Sequence, residues 1–144
     1  NKGWYYDPHF LRSPKNEFPF QIVRNKTMVD PEHFDPVIDG MWRVVNESGG
    51  TAIRAKIDGI NVCGKTGTVE NYKGGVKQKN HSVFIAFAPM EDPKIAIAVF
   101  VENAGYGGTW AAPIAGLMME KYLKKSISNP EKEKRVLDAK LNNK

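Results

Sequence analysis

Two apolar runs in the second half of the chain predict neighbouring antiparallel strands. Residues 81–88 read His-Ser-Val-Phe-Ile-Ala-Phe-Ala, and residues 94–101 read Lys-Ile-Ala-Ile-Ala-Val-Phe-Val. A short turn that contains two prolines separates them. Both alternating sets of positions in the second run are apolar, which is typical of a strand buried on both faces. Its row of small alanines leads us to expect close helix packing there.

A third strand is predicted just upstream, over Ile60–Val69, and the turn signal Lys73-Gly74-Gly75 follows it. Gly64 and Gly67 lie inside this strand, where glycine permits the close approach of another backbone or of a ligand. Residues 1–30 are irregular. They contain two shorter β-candidates, at Gly3–Tyr6 and Phe20–Val23.

Helical periodicity predicts one helix before these strands and one after them. Asp35 and Pro36 suit an N-cap and a first turn, and Gly49-Gly50 ends the apolar periodicity that follows. Thr109 is a candidate cap for the second helix, and Pro113 is tolerated in its first turn. The predicted core stripe of that helix is Trp110, Ile114, Leu117, Met118, Tyr122 and Leu123. The predicted fold class is therefore α/β (α+β), an antiparallel sheet flanked by helices.

The charge of the chain is concentrated at its C-terminal end. The 144 residues have a formal net charge of +5, and all of the excess lies in residues 121–144. We interpret residues 125–144 as a basic, flexible, solvated tail, with anionic lipid as a hypothetical contact. The tail has no interleaved aromatic residues and no recognisable nucleic-acid module, so we predict no nucleic-acid partner.

Few residues are suited to metal or redox chemistry. His9, His33 and His81 lack the spacing of metal ligands, and Cys63 alone completes neither a metal cage nor an internal disulfide. We predict no metal and no cofactor, and we expect Cys63 to pack as a small apolar residue. No stretch has the length of a membrane span, and no signal peptide is evident.

The segment around Lys65 admits two interpretations. Gly59-x-x-x-x-Gly64-Lys65-Thr66 satisfies the phosphate-binding loop pattern of nucleotide-binding proteins. Such a loop needs a helix to begin near Lys65, whereas Gly67 and the β-branched residues after it are poor helix formers. In the strand interpretation, Lys-Thr-Gly ends a β-type segment, as one of the three motifs of a serine acyl-transfer site does.

Seven short stretches lie at Gly3–His9, Met41–Val45, Gly50–Ala52, Gly64–Thr68, Phe84–Pro89, Ile97–Asn103 and Ala111–Ala115. Taken together, they resemble the C-terminal part of the transpeptidase domain of a class B penicillin-binding protein. They follow the family's order over roughly residues 1–123, so we assign residues 1–124 to that portion of a β-lactamase/transpeptidase-like domain. Val101-Glu102-Asn103 before a glycine-rich stretch, and Ala111-Ala112-Pro113 at the start of a helix, are more similar to the elongation-type, penicillin-binding protein 2-like enzymes than to the division-type ones.

This resemblance implies a peptidoglycan D,D-transpeptidase whose serine is acylated by the D-Ala-D-Ala end of a stem peptide, which β-lactams mimic. The implied catalytic residues are Lys65, Thr66, Gly67 and Thr68. Lys65 would hold the substrate carboxylate and polarise a hydroxyl network, and Thr68 would contact the carboxylate. The backbone N–H of Thr68 would form half of an oxyanion hole. Trp110, which follows the glycine-rich stretch from Gly105 to Gly108, is a further candidate substrate-binding residue.

The other two motifs of the family, S-x-x-K and S-x-N, are not found in this sequence. None of the five serines has lysine three positions on or asparagine two positions on. We therefore expect a fragment that is inactive alone. Its parent would be anchored in the cytoplasmic membrane, with this domain in the periplasm or extracytoplasmic space, and would act in cell-wall synthesis with the elongation machinery as a possible partner. A non-catalytic sensor domain of the same fold is the remaining alternative.

Overall fold

The computed structural model describes residues 1–8 and 23–141, which form two compact units, residues 1–38 and 39–144. In the first unit, strand β1 (Trp4–Tyr6) pairs antiparallel with strand β2 (Arg24–Lys26). The predicted β-candidate at Gly3–Tyr6 is thus confirmed, whereas residues 20–22 of the other candidate lie outside the described residues. Helix α1 (Asp35–Asn46) crosses the boundary between the units and confirms the first predicted helix.

The second unit contains a three-stranded antiparallel sheet in the order β3-β4-β5. Its strands are β3 (Cys63–Lys73), β4 (Val76–Ala88) and β5 (Ile95–Val101), followed by helices α2 (Ala111–Lys124) and α3 (Pro130–Leu137). The predicted fold class is confirmed, although β3 begins later than predicted and continues to Lys73. Among the described residues, no helix has both the length and the apolar character needed to cross a membrane.

The two faces of this sheet have different environments. Alternate β4 residues, Ser82, Phe84, Ala86 and Ala88, are buried, and α2 packs against β4 and β5. On the opposite face, Ile85 is 49% exposed and Phe100 is 56% exposed. The prediction that β5 is buried on both faces was therefore wrong for the described residues, because the core cluster contacts only its Ile and Val row.

The small residues that allow close packing lie on α2 rather than on β5. A Cβ at Gly116 would lie only 2.9 Å from the Cα of Ala55, in the short 3-10 helix Ile53–Ala55. The predicted apolar stripe of α2 was wrong for two of its members, since Met118 is 55% exposed and Tyr122 is 51% exposed. Of the predicted stripe, Leu117 is buried and Leu123 packs against the core. The buried residues of the helix are Ala111, Ala112, Pro113, Ala115, Gly116, Leu117, Met119 and Glu120.

The start of α2 is secured from another strand rather than by its own cap. Thr109 was a candidate N-cap, but the N-cap position is Trp110, which makes no side-chain cap bond. Ser82 on β4 provides the missing acceptor, because its Oγ accepts a hydrogen bond from the Ala111 N–H at 3.1 Å. The same hydroxyl donates to the Tyr106 carbonyl at 2.9 Å, so one buried serine joins β4, the preceding loop and α2.

The segment predicted to be a flexible tail contains helix α3. Asn129 caps this helix, accepting a hydrogen bond from the Lys132 N–H at 2.9 Å, and Pro130 lies in its first turn. Acidic residues lie in its first turn and basic residues in its last turn, so these charges interact favourably with the helix dipole. The charges of this segment are therefore compatible with a capped helix, and the flexibility of residues 125–144 stays a prediction.

We predict that Ser82→Ala lowers the free energy of unfolding by about 2 kcal/mol, because it leaves the buried Ala111 N–H and Tyr106 carbonyl without their partner. Urea denaturation measures this change. Ser48→Ala, at an exposed position, is the matched control and is expected to change stability by less than about 0.5 kcal/mol. Equal effects of the two substitutions would contradict the role assigned to Ser82.

Candidate active site

The Lys-Thr-Gly-Thr motif lies in β3, at the edge of the sheet. Within the part of the chain that the structure describes, β3 pairs only with β4, and Thr66 and Thr68 stand opposite Phe84 and Ser82. Residues opposite one another share a face of the sheet, so the two threonines lie on the α2 side and Lys65 on the other side. The outer edge of β3 can accept an extended peptide by strand addition.

This geometry does not match a phosphate-binding loop. Lys65 and Thr66 are the third and fourth residues of an 11-residue strand, and no helix begins beside them. The backbone N–H groups and the dipole that such a loop takes from a helix N-terminus are consequently not provided at this position. The strand interpretation of the motif is confirmed.

The glycine-rich loop, defined here as residues 105–109, lies directly on this part of the sheet. A Cβ at the buried Gly107 would be 2.2 Å from the Val83 carbonyl oxygen and 2.6 Å from that of Gly67. Backbone hydrogen bonds secure the loop on both sides, from the Gly105 N–H to the Asn80 carbonyl (2.7 Å) and from the Ala112 N–H to the Gly107 carbonyl (2.9 Å). Only glycine allows the main chain of this loop to approach so closely.

A cavity of about 480 Å³ lies between β3, the glycine-rich loop and the 3-10 helix. Four threonines and Arg54 contribute to its walls, and the hydroxyls of Thr51 and Thr66 are hydrogen-bonded at 3.1 Å. Hydroxyl and guanidinium donors of this kind suit a carboxylate ligand. The lining residues are Thr51, Ile53, Arg54, Thr66, Thr68, Tyr106, Gly107, Gly108 and Thr109.

Neither Thr51 nor Arg54 was predicted as a site residue from the sequence. The available signal was the Gly50-Thr51-Ala52 stretch, which contributed to the resemblance without an assigned role.

No group of three or more His, Cys, Asp or Glu side chains suited to a metal ion occurs within residues 1–8 and 23–141.

Lys65 and Trp110 lie apart from this cavity. The exposed Lys65 donates a hydrogen bond from Nζ to the Thr66 carbonyl at 2.8 Å, and its side chain is not part of the cavity wall. Trp110 lines a different hollow, together with Asn80 and Gly105, and the guanidinium carbon of Arg135 lies 4.7 Å from its ring centroid. The structure thus brings Thr66 and Thr68 together in one cavity, but not Trp110 with them.

Exposed side-chain hydrogen bonds hold the chain just before β3. The Trp42 indole N–H donates to the Asn61 side chain at 2.9 Å, and the Asn61 amide donates to Glu91, a bond that lowers the pKa of that carboxyl group. Cys63, the first residue of β3, is buried as predicted, and this burial raises the pKa of its thiol to about 11, with a smaller contribution from the charge of Glu91. The thiol is therefore protonated at neutral pH and is unsuited to act as a nucleophile.

Comparison with known proteins identifies this arrangement. A model of the penicillin-binding protein transpeptidase domain matches residues 1–120, and the chain belongs to this family, as a class B member. MrdA, a peptidoglycan D,D-transpeptidase of Haemophilus influenzae, is 39% identical over 105 residues, which are 65% of this chain and 16% of MrdA. Stage V sporulation protein D of Bacillus subtilis is 35% identical over 137 residues, 91% of this chain and 20% of that protein.

A solved structure shows the same relationship. Penicillin-binding protein A from M. tuberculosis, in its ceftriaxone acyl-enzyme complex, has a TM-score of 0.66 and 30% identity to this chain. The match covers 85% of this chain and 29% of that one. The chain thus spans less than a third of the length of each of these relatives, and the family resemblance seen in the sequence is confirmed.

We predict that Gly107→Ala destabilises the second unit by roughly 3 kcal/mol, because the added methyl group would overlap two backbone carbonyl oxygens. Chemical denaturation measures the loss. Gly40→Ala, in the exposed middle of α1 with no atom within 4 Å of the added carbon, is the control and should instead raise stability by roughly 0.5–1 kcal/mol. A Gly107→Ala variant as stable as the parent would show that the loop does not lie on the strands as described.

Proposed function

We propose that this chain is the C-terminal portion of the catalytic domain of a peptidoglycan D,D-transpeptidase. The observation that carries the proposal is a Lys-Thr-Gly-Thr motif on a sheet edge, beside a cavity with hydroxyl walls, in a chain of the transpeptidase family. The S-x-x-K serine and the S-x-N motif belong to a part of the protein outside this chain.

In the proposed reaction, the serine oxygen attacks the carbonyl carbon of the penultimate D-Ala of a stem peptide. The C–N bond to the terminal D-Ala breaks, this residue leaves as the free amine after accepting a proton, and an acyl ester forms on the serine. The amine of an acceptor peptide then attacks the ester, releasing the serine and forming the cross-link. β-Lactams react at the first step, because opening of the ring acylates the same serine.

The geometry of β3 supports separate roles for its residues. Thr66 and Thr68 present hydroxyls to the cavity and are suited to bind the substrate carboxylate, and Gly67 leaves room for a peptide along the edge. Lys65 lies on the opposite face, where its ammonium retains donors for a hydroxyl network supplied by the rest of the domain. The Thr68 N–H is proposed as one oxyanion-hole donor.

The proposed cellular setting follows from this assignment. The parent protein would be anchored in the cytoplasmic membrane and would act on peptidoglycan in the extracytoplasmic space. The elongation-type subclass and its machinery remain our proposal, supported by the similarity to MrdA over 65% of this chain. The coding sequence upstream of Asn1 tests the assignment to a membrane-anchored transpeptidase, since this assignment predicts S-x-x-K and S-x-N behind an apolar anchor. A start codon near Asn1 would favour a sensor without a nucleophile.

The isolated 144-residue chain is expected to form no covalent adduct with a β-lactam, since the nucleophilic serine lies outside it. Incubation with benzylpenicillin followed by intact-mass spectrometry makes the measurement. A stoichiometric mass increase equal to that of the drug would contradict the proposal.

In the full-length protein, Lys65→Ala is expected to lower the second-order rate constant for β-lactam acylation by on the order of 100-fold, because a charged donor of the reaction centre is lost. Stopped-flow with a fluorescent penicillin gives this constant. Lys73→Ala, at the exposed end of the same strand, is the matched control and should remain within about twofold of the parent. Equal acylation rate constants for the parent protein and Lys65→Ala would contradict a catalytic role of Lys65.

A further inference from the structure

Helix α3 lies beyond residues 1–120, the part of the chain that the family model matches, yet it contacts the glycine-rich loop. Arg135 in its last turn donates a hydrogen bond from Nη2 to the Thr109 carbonyl at 3.2 Å. The same guanidinium lies 4.7 Å from the ring centroid of Trp110, at cation–π distance. One side chain of α3 thus contacts both residues that join the loop to α2.

Thr109 and Trp110 lie where the cavity wall meets the start of α2. Thr109 is part of the cavity wall, and its N–H donates to the Tyr106 carbonyl at 3.0 Å within the loop. Trp110 is the N-cap residue of α2 and makes no side-chain cap bond. The loop carbonyls of Tyr106, Gly107 and Thr109 are therefore bound by Ser82, by the Ala112 N–H and by Arg135 respectively. Arg135 supplies the one contact of this series that comes from outside the family-matched region.

The N-terminal end of helix α3 is joined to the rest of the second unit by two side-chain hydrogen bonds. The Ser128 hydroxyl, just before the helix, donates to the buried Glu120 carboxylate at 2.5 Å. Lys132 Nζ reaches the Lys56 carbonyl at 3.4 Å, and burial lowers the pKa of this lysine while the charges of Glu120 and Asp58 oppose that shift. The N-terminal half of α3 is thus fixed to α2 and to the segment before β3, and its last turn carries Arg135 to the loop.

We propose that Arg135 is a positioning residue for the transpeptidase site and that α3 holds the glycine-rich loop in the conformation that forms one wall of the cavity. Arg135 does not line the cavity and acts only through Thr109 and Trp110. This inference rests on the proposed function for its catalytic consequence, but its effect on the loop is independent of that function.

The test uses the full-length protein that contains this chain, with Arg135→Ala, Arg135→Lys and the control Lys134→Ala. Lys134 is the exposed neighbour on the same helix, and its side chain makes no hydrogen bond or ion pair with the described residues. Two quantities are measured: the second-order rate constant of acylation by a fluorescent penicillin, and amide hydrogen exchange in peptides covering residues 104–112. Thermal melting of each variant provides a reference for global stability.

We expect Arg135→Ala to reduce the acylation constant by roughly three- to tenfold and to accelerate exchange only in residues 104–112, because a surface cation–π contact and a charged hydrogen bond are lost. Arg135→Lys, which keeps the charge and a donor, should recover part of both effects, and Lys134→Ala should show neither. The melting temperature should change little, since Arg135 is exposed.

Two results would overturn the inference: exchange in residues 104–112 equal to that of the parent protein, or faster exchange throughout the second unit together with a lower melting temperature. A parent protein that no β-lactam acylates would refute the proposed function instead. In that case the exchange measurement still decides whether Arg135 holds the loop.

Discussion

The close approach of the glycine-rich loop to the backbone of β3 and β4 is the contact on which the second unit depends. Gly107 has no side chain, so the main chain of the loop lies against the carbonyl groups of Val83 and Gly67. Ser82 then binds both the loop and the first turn of α2 with one buried hydroxyl. The cavity wall, the start of α2 and the position of β3 are therefore set at a single junction, where little volume can be added.

This junction also determines how the motif presents its chemistry. The alternation of side chains along β3 sends Thr66 and Thr68 towards the loop and Lys65 away from it. A peptide along the strand edge would meet hydroxyl donors on one side and an ammonium group on the other. The side chains of the four-residue motif thus lie on both sides of the strand edge, and the cavity lies on the side of the two threonines.

The C-terminal segment shows that charge can have a structural use. The net positive charge lies in residues 121–144, as the composition indicates. Several of these cations have backbone acceptors: Lys124 binds the Asp58 carbonyl at 2.6 Å, and Arg135 binds that of Thr109. Arg135 and the hydrogen bond from Ser128 to the buried Glu120 carboxylate connect α3 to the rest of the second unit. The excess of charge was visible in the sequence, but its partners are distant in sequence and could not be predicted.

Local patterns determined much of this protein. The apolar runs located β4 and β5, the helical periodicity located α1, and the Lys-Thr-Gly-Thr motif with its neighbouring stretches identified the family. The sequence did not decide which side of α2 is buried, because that helix has apolar residues nearly all round. Its Ala and Gly face packs inward, since only small side chains let the helix approach the Ile and Val row of β5 and the backbone at Ala55. The tertiary structure also decided that Thr51 and Arg54 join Thr66 and Thr68, while Trp110 faces another hollow. Periodicity shows which residues of a helix share a face, whereas close packing depends on the shape of the surface that this face meets.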